Sequence, residues 1–114
     1  MVVDQRALTD AEVDRIFRAL ADATRRDIVR RTLVAEVTVS ALAQQYAMSF
    51  AAVQKHVAVL ERAGLVSKEP QGRERLVRAN PTAIQRAQAL LDSYEQLWRE
   101  RVSRLDALLA DDDH

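Results

Sequence analysis

Apolar residues recur along most of the chain at steps of three and four, the spacing that keeps one side of an α-helix apolar. In the first such stretch Val13, Ile16, Phe17 and Leu20 share a stripe, and Thr9 or Asp10 stands where a helix N-cap belongs. Asp22 is placed to cap a second helix, Ala23 to about Val34, which is expected to bury Ile28 and Leu33. The Thr38 hydroxyl can accept from a backbone N–H two or three residues on, opening a short third helix through Tyr46 with Leu42 and Ala43 inward. Ser49 repeats that arrangement for a fourth helix, Phe50 to Ala63. Gly64 then marks its end, because a residue without Cβ takes the left-handed conformation freely, and Leu65 can fold back on Leu60.

Beyond Gly64 the period shortens. Leu65 to Glu69 and Arg73 to Ala79 read as two short strands around the turn-forming Pro70-Gln71-Gly72. Asn80-Pro81 then opens the last helix, with Asn as cap and Pro at the first helical position, where its missing N–H is not needed. Ile84, Ala87, Leu91, Tyr94, Trp98, Val102, Leu105 and Leu109 carry an apolar stripe along it. The order predicts a mainly α fold with a small β-hairpin: four helices, the hairpin, and a long C-terminal helix. Two capped helices across a tight turn make a helix-turn-helix, and a hairpin directly after it makes a wing. The 114 residues are enough for one domain, with the first and last helices (about 10–21 and 81–109) left for a dimer interface and residues 1–8 and 110–114 expected to be flexible.

The chain contains no cysteine, which removes disulfides, thiol sensing and thiolate metal ligation together. Its N-terminus lacks the basic start and apolar run of a signal peptide, and no stretch has the length and apolarity to span a bilayer, so no membrane partner and a cytoplasmic location are expected. There is no glycine-rich phosphate loop and no His–carboxylate pairing at a recognisable spacing, so an enzyme is not expected. The net charge is zero but unevenly spread: residues 25–80 carry ten basic and five acidic side chains, whereas both flanking segments are acidic. A basic middle suits a polyanionic partner better than the total suggests.

At 100° per residue, Val53, Val57 and Leu60 define the inner side of the fourth helix, while Ala51, Lys55, Ala58 and Arg62 lie roughly opposite. Gln54 flanks the outer side and His56 borders the inner one. Small side chains permit close approach to a groove wall; Gln can read adenine, and Lys can donate to guanine or phosphate. Ser49 and the first backbone N–H groups can meet a phosphate. In the wing, Lys68, Arg73, Arg75 and Arg78 cluster, with Arg73 beside the turn and able to reach an adjacent minor groove. The competing reading, from another class, is a winged-helix module that grips a protein instead of DNA.

Three strings together resemble the ArsR-type regulators of bacteria. Leu20-Ala21-Asp22-Ala23-Thr24-Arg25-Arg26-Asp27-Ile28-Val29 resembles their opening, and Ser49 to His56 resembles their recognition helix. Leu60-Glu61-Arg62-Ala63-Gly64-Leu65-Val66 with the basic hairpin completes the match, from about Val13 to Pro81. The resemblance implies a homodimeric repressor bound to double-stranded operator DNA. It places Ser49, Phe50, Ala51, Gln54, Lys55 and His56 on the recognition helix and Arg73 and Arg75 in the wing. Thr24 and Arg25 fall where the second helix can touch phosphate. It also implies an interface from the first and last helices, here Ile16, Phe17, Leu91, Tyr94, Trp98 and Leu105. Many members sense metals, but the third helix here has no thiol, and the last offers Asp92 and Glu95 without a His before the tail. No metal site, no cofactor and no nameable effector are therefore expected, and Asp111-Asp112-Asp113-His114 reads as a frayed acidic end.

Overall fold

The computed structural model describes residues 8–112. In chain order its elements are α1 (Asp10–Leu20), α2 (Ala23–Val34), β1 (Val37–Thr38), α3 (Val39–Ala43), α4 (Phe50–Arg62), β2 (Val66–Gln71), β3 (Glu74–Ala79) and α5 (Pro81–Asp112). Short polar side chains start the first four helices. Thr9 accepts from the Glu12 N–H at 3.2 Å while the Glu12 carboxylate accepts from the Thr9 N–H at 3.1 Å, a closed capping box. Asp22, Thr38 and Ser49 accept from the backbone three residues on, at 3.0, 3.1 and 3.1 Å. Gly64, with φ of 76°, ends α4, and the Leu65 N–H reaches back to the Leu60 carbonyl at 3.0 Å. Asn80 joins that end to α5: its amide donates to the Gly64 carbonyl at 3.0 Å and its Oδ1 accepts from the Thr82 N–H at 3.2 Å.

β2 and β3 pair antiparallel from Val66↔Ala79 to Gln71↔Glu74, leaving a two-residue turn, Gly72-Arg73. Only Gly72 takes a positive φ there (64°), the pattern of a type II′ hairpin turn. Pro70 is accommodated because β2 lies at the edge of the sheet. A third strand absent from the sequence reading, β1, completes the order β1-β3-β2 through Val37↔Val77 and Thr38↔Leu76. Two residues carry no readable alternation, and their partner lies some forty positions away in sequence. Thr38 thus serves twice, as a rung of the sheet and as the cap of α3.

The core joins Ile16 and Ala19 of α1, Ile28 of α2, Leu42 of α3, Val53, Val57 and Leu60 of α4, and Val77 of β3. Three expectations need correction. Leu33 is 50% exposed; the inward position belongs to Thr32, whose hydroxyl donates to the Ile28 and Val29 carbonyls and so enters the core with its polarity satisfied. The third helix ends at Ala43, and residues 44–48 run through turns to α4. Ile16 is 2% exposed and belongs to the core, so it offers no surface to a second subunit. The last helix extends three residues past Leu109, to Asp112, while Asp113 and His114 of the acidic end, and all but Leu8 of residues 1–8, lie outside the described residues. Leu8 itself packs on the core.

A polar cluster fixes the turn before α4. Asp27 accepts from the Tyr46 hydroxyl at 2.6 Å, from Arg31 Nε at 2.7 Å and from Arg30. The Tyr46 hydrogen bond, then the two arginines, holds the Asp27 carboxyl well below the usual carboxylate range. Burial, reinforced by the carboxylate, pushes Tyr46 up to about 12. A tyrosine raised in this way stabilises the fold below its ordinary pKa of about 10 and loses that contribution as pH rises through about 12. Tyr46→Phe is therefore expected to lower stability by about 1–3 kcal/mol at neutral pH. Urea titrations across the alkaline range should show a smaller loss in the variant than in the parent.

Candidate nucleic-acid interface

The buried side of α4 is set by Val53, Val57 and Leu60, each fully inaccessible, and this rotation turns Ala51, Gln54 and Lys55 outward. Ser49 and Phe50 are also exposed at the start of the helix, and Ala58, expected opposite the core, is half-buried. The Ser49 oxygen caps the helix, which leaves its hydroxyl hydrogen for an external acceptor. Gln54 opens onto a groove of about 410 Å³ between α4 and the hairpin, with Glu61, Lys68 and Arg75 along its walls and Val39 and Val57 beneath. Gln54 and Arg75, distant in sequence, thus line one concavity.

The wing cations divide into two groups. Lys68 faces Glu61 of α4 at 3.7 Å, and Arg78 is held between Glu36 at 3.0 Å and Glu69 at 3.6 Å. Arg73, in the turn, and Arg75 are exposed and have no ion pair among the described residues. Two of the four basic side chains therefore brace the hairpin and two project from it. Sequence spacing did not separate these groups, since the acids that neutralise Lys68 and Arg78 come mostly from other elements.

Arg25 also departs from its expected place. Its guanidinium donates from Nε to the Ala19 carbonyl at 2.7 Å and from Nη2 to the Arg18 carbonyl at 2.9 Å, closing the C-terminal end of α1. Arg26, which the sequence reading passed over, does the same for the Leu20 carbonyl at 2.7 Å. Arg25 Nη1 lies 3.4 Å from His56 Nδ1, and that nitrogen is 3.9 Å from the Asp22 carboxylate. The Asp22 carboxyl is held below its ordinary pKa, first by the Arg25 backbone N–H and further by His56. His56 thus faces the junction of α1 and α2, and Thr24, in the first turn of α2, is half-buried. Among the described residues no three His, Cys, Asp or Glu side chains converge as metal ligands would, and no helix is long and apolar enough to cross a membrane.

Only the first turns of α5 touch the core, through Ala83, Ala87 and, partly, Ile84. Past them, Leu91, Tyr94, Trp98, Val102 and Leu105 stand exposed along one stripe, joined by Leu97 and Leu108, which the stripe read from the sequence does not include. The Arg101 guanidinium lies 5.7 Å from the centre of the Trp98 ring. Phe17 of α1 is exposed as well.

No family model matches the chain. The HTH-type transcriptional regulator Rv2034 of Mycobacterium tuberculosis is 38% identical over 81 residues, covering 71% of this chain and 76% of that protein. An ArsR-like transcriptional regulator from Rhodococcus sp. RHA1 superposes with a TM-score of 0.76 at 30% identity, over 86% of this chain and 92% of its own. The homodimeric winged helix-turn-helix DNA-binding domain Mb0332 from Mycobacterium bovis shares the fold at 19% identity, with a TM-score of 0.62 over 81% of this chain and 92% of its own.

Proposed function

Because the chain belongs to the ArsR family of winged helix-turn-helix transcriptional regulators, we propose that it acts in the cytoplasm as a homodimeric repressor of sequence-specific operator DNA. The observation that carries this reading is the groove shared by Gln54 of the recognition helix and Arg75 of the wing. A duplex laid across it receives the N-terminal half of α4 in its major groove. Ala51 allows the close approach, Gln54 pairs with the N6 and N7 of an adenine, and Lys55 donates to guanine or phosphate. Ser49 and the exposed Phe50 border the entry of the helix, and Thr24 offers a hydroxyl to the flanking backbone. Arg73 and Arg75 take the neighbouring minor groove. Lys68 holds the hairpin against α4 through Glu61, and Arg25 links the end of α1 to His56 of α4.

The dimer joins the exposed stripes of α5, with Phe17 of α1 at the margin. The homodimeric Mycobacterium bovis domain, which shares the fold, supports this arrangement. A two-fold axis then presents two recognition helices to half-sites about one helical turn apart, and occupancy of the operator represses the gene behind it. Thiolate sensing has no place in a chain without cysteine.

The test is a titration of labelled DNA from the gene's own upstream region, against scrambled duplex, at two salt concentrations. Tighter binding to the native region with a protected pseudo-palindrome is the expected result. Absence of binding to any duplex would favour the protein-gripping use of the winged helix. Gln54→Ala is expected to cost about 1–3 kcal/mol at the cognate site and to relax preference at one base position. Uniform weakening across all sequences would remove Gln54 from base reading.

A further inference from the structure

A second basic surface lies away from the wing and from the outward N-terminal half of α4. Arg15 and Arg18, three residues apart, share one side of α1, and Arg62 comes from the last turn of α4. They line a cleft of about 210 Å³ over Val59 and Ala63. An adjoining cleft of about 170 Å³ shares Arg15, Arg62 and Ala63 and runs on to the start of α5 at Asn80 and Thr82.

None of these three arginines has an ion pair among the described residues. Two neighbouring acids are engaged elsewhere: Glu12 closes the α1 capping box and faces Arg86 at 3.6 Å, and Glu61 faces Lys68 at 3.7 Å. Asp14, one turn before Arg18, forms no ion pair with it. Three arginines along a small concavity give it charge of one sign, which attracts an anion to it. Planar guanidinium forks match the two oxygens of a carboxylate. The floor of valine and alanine offers a short apolar contact beside them. The volume is below the ~300 Å³ at which drug-sized pockets begin, which restricts the occupant to a small molecule.

We infer that this cleft binds a small organic carboxylate, its charged end held by Arg15, Arg18 and Arg62 and its apolar body on Val59 and Ala63. Arg62 follows Gln54 by eight residues, about 12 Å along the helix at 1.5 Å per residue, so the ligand bridges α1 to the far end of α4, about two turns beyond the N-terminal half proposed to read bases. Any effect of the ligand on operator affinity rests on the proposed DNA-binding function; the binding itself does not.

The test therefore uses the full chain without DNA. Benzoate, titrated into ¹⁵N-labelled protein in low-chloride buffer, should give saturable amide shifts centred on Arg15, Arg18, Val59, Arg62 and Ala63. Benzamide, of the same shape but uncharged, should bind at least tenfold more weakly. The double variant R15Q/R62Q should lose at least tenfold in benzoate affinity while keeping its thermal midpoint, and R15K/R62K should retain part of it. Equal binding of benzamide, shifts centred on another surface, or no saturable shift would each overturn the inference. The benzamide comparison on the unaltered chain decides it even if the double variant does not fold.

Discussion

Trp98→Glu should convert the protein to monomers and abolish tight operator binding. Trp98 is 59% exposed on a stripe with Leu91, Tyr94 and Leu105, along a helix of 32 residues, about 48 Å at 1.5 Å per residue. Past Ala87 none of the described residues of this helix is buried, so among the described residues no other element shields most of its apolar side. Contiguous apolar surface of that extent is uncommon on monomers and marks an interaction site. In a two-fold interface the substitution acts twice. Each lost aromatic anchor costs about 2 kcal/mol or more, and a carboxylate left in the apolar seam adds to that. The dimer should weaken by about three orders of magnitude or more, at 1.4 kcal/mol per factor of ten. Operator affinity falls with it, because two half-sites gripped independently lose the effective concentration that linkage supplies. Sedimentation equilibrium and operator titration read both effects, with Trp98→Phe as the control that keeps the aromatic anchor. A Trp98→Glu chain that remains dimeric at micromolar concentration would place the interface elsewhere.

Arg25→Ala should act on stability rather than on salt dependence. Its side chain holds two carbonyls at the end of α1 and stands against His56, so its removal leaves the Arg18 and Ala19 carbonyls to water and loosens the α1–α2 junction. Hydrogen bonds from a charged donor contribute about 1.5–3 kcal/mol each, and the part-exposed setting brings the expected total loss to about 2–4 kcal/mol. Arg25→Lys should recover little, because one ammonium cannot span two carbonyls in the geometry of the planar fork. Denaturant titration measures this directly. The opposite pattern, unchanged stability with a salt slope shallower by about one, would return Arg25 to the phosphate backbone.

The two cases show what the sequence made legible. Helix starts were readable because the signal is local: Thr9, Asp22, Thr38 and Ser49 each accept a bond from three residues on. Gly64 was readable for the same reason, and the inner side of α4 followed from spacing alone. What escaped depends on partners far along the chain. β1 exists only because β3 lies beside it, and the division of the wing into bracing and projecting cations depends on Glu36 and Glu61. Ile16 and Phe17 sit on one stripe, yet packing of α1 buries the first and leaves the second outside. Leu33 lost its inward place to Thr32 because a threonine in a helix can satisfy its own hydroxyl on the preceding turn.

The double use of Thr38 has a mechanical consequence. Because one residue is both a rung beside β3 and the cap of α3, the hairpin cannot swing without carrying the helix-turn-helix with it. On the operator-binding reading proposed above, the wing tip and α4 would meet the duplex as one unit, and an operator of different groove spacing would have to be deformed to fit it. Bending stiffness varies with base sequence, so base pairs lying between the two contact zones, touched by no side chain, enter the affinity through the work of shaping the duplex.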